Sequence, residues 1–166
     1  MLTEDIEKQN ASHPKHRNRR KRHADSSQKA ARGRDAATAG SAYAAGYDLR
    51  ACLDAPVVIP PHATAMVGTG LAIAVPEGYF GAIFARSGLA SRQGLRPANC
   101  VGVCDSDYRG EYIVALHNDA AVTRTVNPGE RIAQLVVLPC QNLSFHECEA
   151  LPVTQRGAGG FGSTGV

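Results

Sequence analysis

Short runs of β-branched and apolar residues, cut at regular intervals by glycine and proline, fill residues 56–139 and favour β-structure over helix. Val57-Val58-Ile59 is closed by Pro60-Pro61, which cannot donate to a sheet ladder. Residues 64–75 read as strand interrupted at Gly68 and Gly70, and Pro76-Glu77-Gly78 is a turn signal ahead of a strand over 79–84. Further strands are expected over 112–118, 122–126 and 131–139, with turns at Asn118-Asp119 and Asn127-Pro128-Gly129-Glu130. Gln134 is polar inside the last of these runs, so its amide needs partners if buried. The pattern predicts an all-β fold, a jelly-roll-like sandwich or barrel, with one short helix at most, near 87–92.

The first 40 residues are different material. They hold ten Lys/Arg against five Asp/Glu, while the rest of the chain holds eight Arg against ten Asp/Glu, so the net charge of +3 hides an asymmetry. Lys15-His16-Arg17-Asn18-Arg19-Arg20-Lys21-Arg22-His23 repels itself and offers little apolar surface to offset ordering. Residues 1–40 are therefore expected to form an unstructured basic tail, either a plain solvated extension or a weak nucleic-acid contact. It has no interleaved aromatics for base stacking, which favours the extension. No apolar run approaches the ~20 residues of a membrane helix, and no export signal opens the chain, so a cytoplasmic protein is expected. The five cysteines include no CxxC pair. Cys100 and Cys104, four apart in a strand-like stretch, are expected to be small buried apolar residues.

Three stretches carry chemistry. Gly102-Val103-Cys104-Asp105-Ser106-Asp107-Tyr108-Arg109-Gly110-Glu111 sets two carboxylates two apart, followed by an aromatic. A carboxylate at a strand end suits a general base, and a plain polar hairpin tip is the competing reading. Arg86-Ser87-Gly88 can present a guanidinium, a hydroxyl and backbone N–H groups to an anion, or serve as an ordinary strand-to-helix loop. Arg156-Gly157-Ala158-Gly159-Gly160-Phe161-Gly162-Ser163-Thr164-Gly165 lacks the Gly-Lys-Ser/Thr ending of a Walker loop. It could close over a polyphosphate with Phe161 on a flat ring, or remain a free tail. Gly46, just before Tyr47-Asp48-Leu49, is expected to supply an unusual backbone angle.

Taken in order, Ala45-Gly46-Tyr47-Asp48-Leu49, Arg86-Ser87-Gly88-Leu89-Ala90, residues 102–111, Gly129-Glu130-Arg131-Ile132-Ala133-Gln134 and residues 156–165 resemble the five motifs of the homotrimeric all-β dUTPases, over residues 45–166. The resemblance implies hydrolysis of dUTP to dUMP and pyrophosphate, which limits uracil entry into DNA and supplies dUMP for dTMP synthesis. It implies a β domain over 41–150 and a flexible arm over 151–166. Asp105 matches the general base, and Asp107 is left a structural role at the hairpin. Tyr108 matches the platform for the deoxyribose, which leaves no room for a 2′-hydroxyl. Asn99 and the backbone of Val103, Cys104 and Asp105 match the uracil-reading edge. Arg86, Ser87 and Gly88 match the phosphate loop. Arg156 is expected on the γ-phosphate, Phe161 over uracil, and Gly162, Ser163 and Thr164 around the phosphates. Asp48 and Gln134 match positions linked through water to Mg²⁺ or phosphate, the Mg²⁺ being carried mainly by phosphate oxygens. The resemblance also implies a homotrimer whose sites draw on three chains.

The chain departs from the family at three places. Ala85 stands where many relatives have Pro, Cys104 where many have Ile, and residues 31–40 show little of the usual first strand. The competing functions are the related dCTP deaminase or its bifunctional form, and a non-catalytic binding module of the same fold.

Overall fold

The structure is a computed structural model and describes residues 27–29 and 37–160. Its strands are β1 (Ser27–Lys29), β2 (Thr38–Ala39), β3 (Tyr47–Arg50), β4 (Val57–Ile59), β5 (Thr64–Gly68), β6 (Leu71–Ile73) and β7 (Tyr79–Phe84). After helix α1 (Ser87–Gln93) come β8 (Leu95–Pro97), β9 (Val101–Cys104), β10 (Ile113–Asn118), β11 (Arg124–Val126) and β12 (Arg131–Pro139). The all-β expectation with one short helix holds among the described residues.

Every pairing among these strands is antiparallel. The largest sheet runs β2-β3-β12-β7-β9, a second runs β5-β10-β8, and two ribbons, β11-β4 and β1-β6, complete the set. Leu49, Ile59, Val67, Leu116, Ile132 and Ala133 are fully buried and form the centre of one core. Strand β10 alternates, with Val114, Leu116 and Asn118 inward. In β12 the pairing with β3 shifts between Arg131 and Ala133, and this irregularity lets consecutive residues Ile132 and Ala133 both face the core. Asn118 is buried because its amide is fully used: Nδ2 donates to the carbonyls of Ile59 (3.0 Å), Pro60 (3.1 Å) and Val122 (2.8 Å), and Oδ1 accepts from the Ala120 N–H (3.0 Å).

Helix α1 starts at Arg86, whose backbone is extended, and stops at Gly94 with φ of 71°. The left-handed angle closes the helix through N–H bonds to the Ala90 and Leu89 carbonyls. A Cβ at Gly94 would also meet the Ala120 nitrogen at 3.1 Å.

Several expectations change. The 105–112 segment is not a hairpin: β9 pairs with β7 while β10 pairs with β5 and β8, so the segment crosses from one sheet to another. Gly46 does not take a left-handed angle. It leaves room for Gln134, whose Oε1 would lie 3.0 Å from an added Cβ. Cys100 is exposed, with φ of 63°, against expectation, while Cys104 is half-buried and packs against the core. Within the expected tail, β1 pairs with β6 and β2 pairs with β3. Backbone pairing holds these short polar pieces where apolar burial could not. The basic run 15–23 lies outside the described residues. At the other end, Cys140 N–H bonds to the Gly78 carbonyl (2.9 Å), and residues 141–160 carry no helix or strand, so the chain leaves the body before residue 151. No helix among the described residues is long and apolar enough to cross a membrane.

Candidate active site

The end of β9 and the crossing segment line a cavity of ≈ 430 Å³ with Met66, Ile83, Pro97, Asn99, Gly102, Val103, Cys104, Asp105, Tyr108, Glu111, Tyr112, Ile113, Val114 and Ala115. That size falls in the range of small-ligand sites. Among the described residues β9 is the last strand of its sheet, so one of its backbone edges has no strand partner there. Asn99 lies near that edge, its Nδ2 3.5 Å from where a Cβ on Gly102 would sit.

Asp105 is exposed at the cavity rim. The segment after it folds on itself: Tyr108 N–H bonds to the Asp105 carbonyl (3.2 Å), and Arg109 Nη1 donates to the Ser106 (2.7 Å) and Tyr108 (2.9 Å) carbonyls. Asp107 is exposed, is not part of the cavity wall and makes no hydrogen bond or ion pair among the described residues, where Arg109 braces the segment instead. Tyr108 donates its hydroxyl to the Glu111 carbonyl (3.0 Å), and its side chain is exposed at the cavity. Behind it Tyr112 is buried, with ring centres 6.0 Å apart and planes at 35°. The Tyr112 hydroxyl lies by the Cys104 thiol without a well-formed hydrogen bond. Burial pushes both the Tyr112 phenol and the Cys104 thiol up, so both are neutral at ordinary pH.

A second cluster forms where β3, β12 and the end of β7 meet. Arg86 Nε donates to Asp48 Oδ1 (2.8 Å), and Arg131 Nη1 to Asp48 Oδ2 (3.3 Å). Gln134, opposite Asp48 in the ladder, donates Nε2 to the Ala85 carbonyl (2.9 Å), which supplies the partner its position required. The first, second and fourth sequence motifs thus converge, and Ser87 and Gly88 sit exposed at the start of α1.

The two clusters lie at opposite ends of one ladder. Phe84 pairs with Val101 and Gly81 with Cys104, so Arg86 and Asp105 leave it about six positions, or roughly 20 Å, apart. Arg156 is exposed and donates Nε to the Gly159 carbonyl (2.8 Å). Phe161, Gly162, Ser163 and Thr164 lie outside the described residues. Sequence reading missed Glu111 and Tyr112 as wall residues and Arg131 as a partner of Asp48. Each acts through a partner distant in sequence, which no local pattern displays.

A family profile described as dUTPase matches residues 34–165. A deoxyuridine 5'-triphosphate nucleotidohydrolase of Janthinobacterium sp. (strain Marseille) is 48% identical over 130 residues, covering 78% of this chain and 85% of that protein. Another from Bordetella avium (strain 197N) has the same identity and coverage. Among solved structures, the dUTPase of Staphylococcus bacteriophage 80alpha with dUPNHPP has a TM-score of 0.76 at 27% identity, over 84% of this chain and 97% of that one.

Proposed function

Because the chain belongs to the dUTPase family, we propose that it hydrolyses dUTP to dUMP and pyrophosphate, with Asp105 as the general base and water as the nucleophile. The observation that carries this reading is the shared wall of one cavity. Asn99, the edge of β9, Asp105 and Tyr108 meet there at a volume suited to a nucleoside. Asp105 takes a proton from water as its oxygen bonds to the α-phosphorus. The bond from that phosphorus to the bridging oxygen breaks, and pyrophosphate leaves. Proton transfer to a placed carboxylate contributes roughly 10²–10⁴-fold, and positioning and charge stabilisation supply most of the rest.

Backbone groups of the Val103, Cys104 and Asp105 stretch that point away from β7 read the uracil edge together with Asn99. Cytosine and thymine are refused because buried polar groups would stay unpaired or a methyl group would clash. Tyr108 lies against the deoxyribose and refuses a 2′-hydroxyl. Arg86, Ser87 and Gly88 bind phosphate. Arg156 reaches the γ-phosphate, Phe161 covers uracil, and Gly162, Ser163 and Thr164 complete the arm's contacts.

Mg²⁺ fits this donor set as a passenger of the substrate. Among the described residues no three His, Cys, Asp or Glu side chains converge as a cage, and both Asp48 oxygens are held by arginines. An ion carried on triphosphate oxygens and touching Asp48 or Gln134 through water suits Mg²⁺. When bound, it neutralises phosphate charge and fixes the triphosphate's shape.

The separation of Arg86 from Asp105 along their ladder supports a site assembled from copies. One chain gives the Asp105 segment, a second the Arg86 loop and a third its arm, in a homotrimer. Residues 141–160 alone can reach on the order of 60 Å when extended.

Asp105→Asn tests the base. It should bind a non-hydrolysable dUTP analogue nearly as well as the wild type and lose roughly 10²–10⁴-fold in turnover. Unchanged turnover would remove Asp105 from the role.

A further inference from the structure

We propose that Glu111 is a positioning residue that holds the Tyr108 sugar platform and so sets the preference for dUTP over UTP. This rests on the reading of Tyr108 given above. The 105–112 segment crosses between sheets without strand pairing of its own, so its fit to the body depends on bonds at its downstream end.

Those bonds converge on residues 68–71. Glu111 Oε1 accepts from the Gly70 N–H at 2.7 Å, a charge-assisted bond on a half-buried side chain. Next to it, Thr69, which is buried, donates its hydroxyl to the Tyr112 carbonyl (2.6 Å), and Tyr112 N–H bonds to the Leu71 carbonyl (2.8 Å). Gly68 leaves the berth for the carboxylate, since an added Cβ would sit 2.6 Å from Glu111 Oε1. The same residue then holds Tyr108 through its carbonyl, which accepts the phenol hydroxyl at 3.0 Å. Gly110 lets the ring fold back over the backbone, because a Cβ there would lie 2.6 Å from Tyr108 Cζ. Glu111 therefore joins the 68–71 turn to the ring: its carboxylate is fixed at one end and Tyr108 hangs from the other.

Excluding a 2′-hydroxyl requires the ring to stay close to the sugar, and a platform that recedes slightly admits ribose. Asp105 lies upstream of the strut, so loosening it should act on sugar discrimination and KM more than on kcat.

The test compares kcat and KM for dUTP and UTP in wild type, Glu111→Ala, Glu111→Gln and Tyr108→Phe, with Tm measured alongside. Glu111→Ala should lower the dUTP/UTP ratio of kcat/KM by roughly tenfold, chiefly through KM. Glu111→Gln keeps an oxygen that can accept from Gly70 and should restore most of the ratio. Tyr108→Phe keeps the ring but cuts its tie to the Glu111 carbonyl, and should lower the ratio even if Glu111→Ala does not fold. Unchanged ratios in the folded variants, or equal losses on both substrates, would overturn the role of Glu111. A wild type that hydrolyses dUTP and UTP equally would instead bring down the Tyr108 reading, and this inference with it.

Discussion

Asn118 and Cys104 mark the two kinds of residue that set this chain's behaviour. Asn118 is fully buried and spends its amide on four backbone groups from two segments, 59–60 and 120–122. Asn118→Ala should cost on the order of 2–4 kcal/mol, because carbonyls and an N–H lose their partner inside the protein. A drop in the urea midpoint measures it, and an unchanged midpoint would deny that the amide holds those segments together. Cys104 is half-buried beside Asp105, and burial keeps its thiol protonated. It does no proton work, so Cys104→Ile should leave dUTP turnover within roughly threefold. A loss like that of Asp105→Asn would give the thiol a chemical role. At this scale the motifs singled out Asp48, Arg86 and Gln134, which meet in one cluster, and Asp105 and Tyr108, which share a cavity wall. Glu111 was not legible, because what gives it meaning is Gly70, 41 residues away.

Among the elements, strands were readable where apolar runs met firm stops. The runs 79–84 and 131–139 became β7 and β12 with the same bounds. Partner choice was not readable. A strand, a polar turn and a strand suggested a hairpin around Asp107, yet β9 joins β7 and β10 joins β5 and β8. Period-two patterning says which face is buried and is silent on which neighbour is taken. Helix α1 was foreseen from the broken pattern after Phe84, and its end is fixed by Gly94 at a left-handed angle. Gly94→Ala should destabilise the fold by about 1 kcal/mol or more, through backbone strain and contact with Ala120. A Tm equal to that of the wild type would show that the helix end tolerates a side chain. The arm is separate from this packing, since residues 141–160 are almost wholly exposed. Truncation after Gln155 should therefore keep the Tm and cripple turnover. Near-normal turnover would refute closure by the arm.

For the molecule as a whole, the charge asymmetry separates a basic leading segment from a body whose acidic and basic groups nearly balance. Assembly is the property least visible in one chain's pattern, because strand periodicity carries no symmetry. The ladder makes it tractable by holding Arg86 and Asp105 at opposite ends. Refolding Asp105→Asn chains together with Arg86→Ala chains should restore part of the activity that each lacks alone, since some mixed sites then draw both intact groups from different copies. No recovery in mixed assemblies would place the two groups in a site of one chain.

The most direct measurement is pyrophosphate release from dUTP, UTP, dTTP and dCTP, each supplied with Mg²⁺ at equal concentration to the full chain. Release from dUTP should exceed that from each of the other three by roughly 100-fold or more, because each presents the pocket with an unpaired polar group or a clash. Ammonia released from dCTP, or no pyrophosphate from dUTP with the chain folded, would contradict the account.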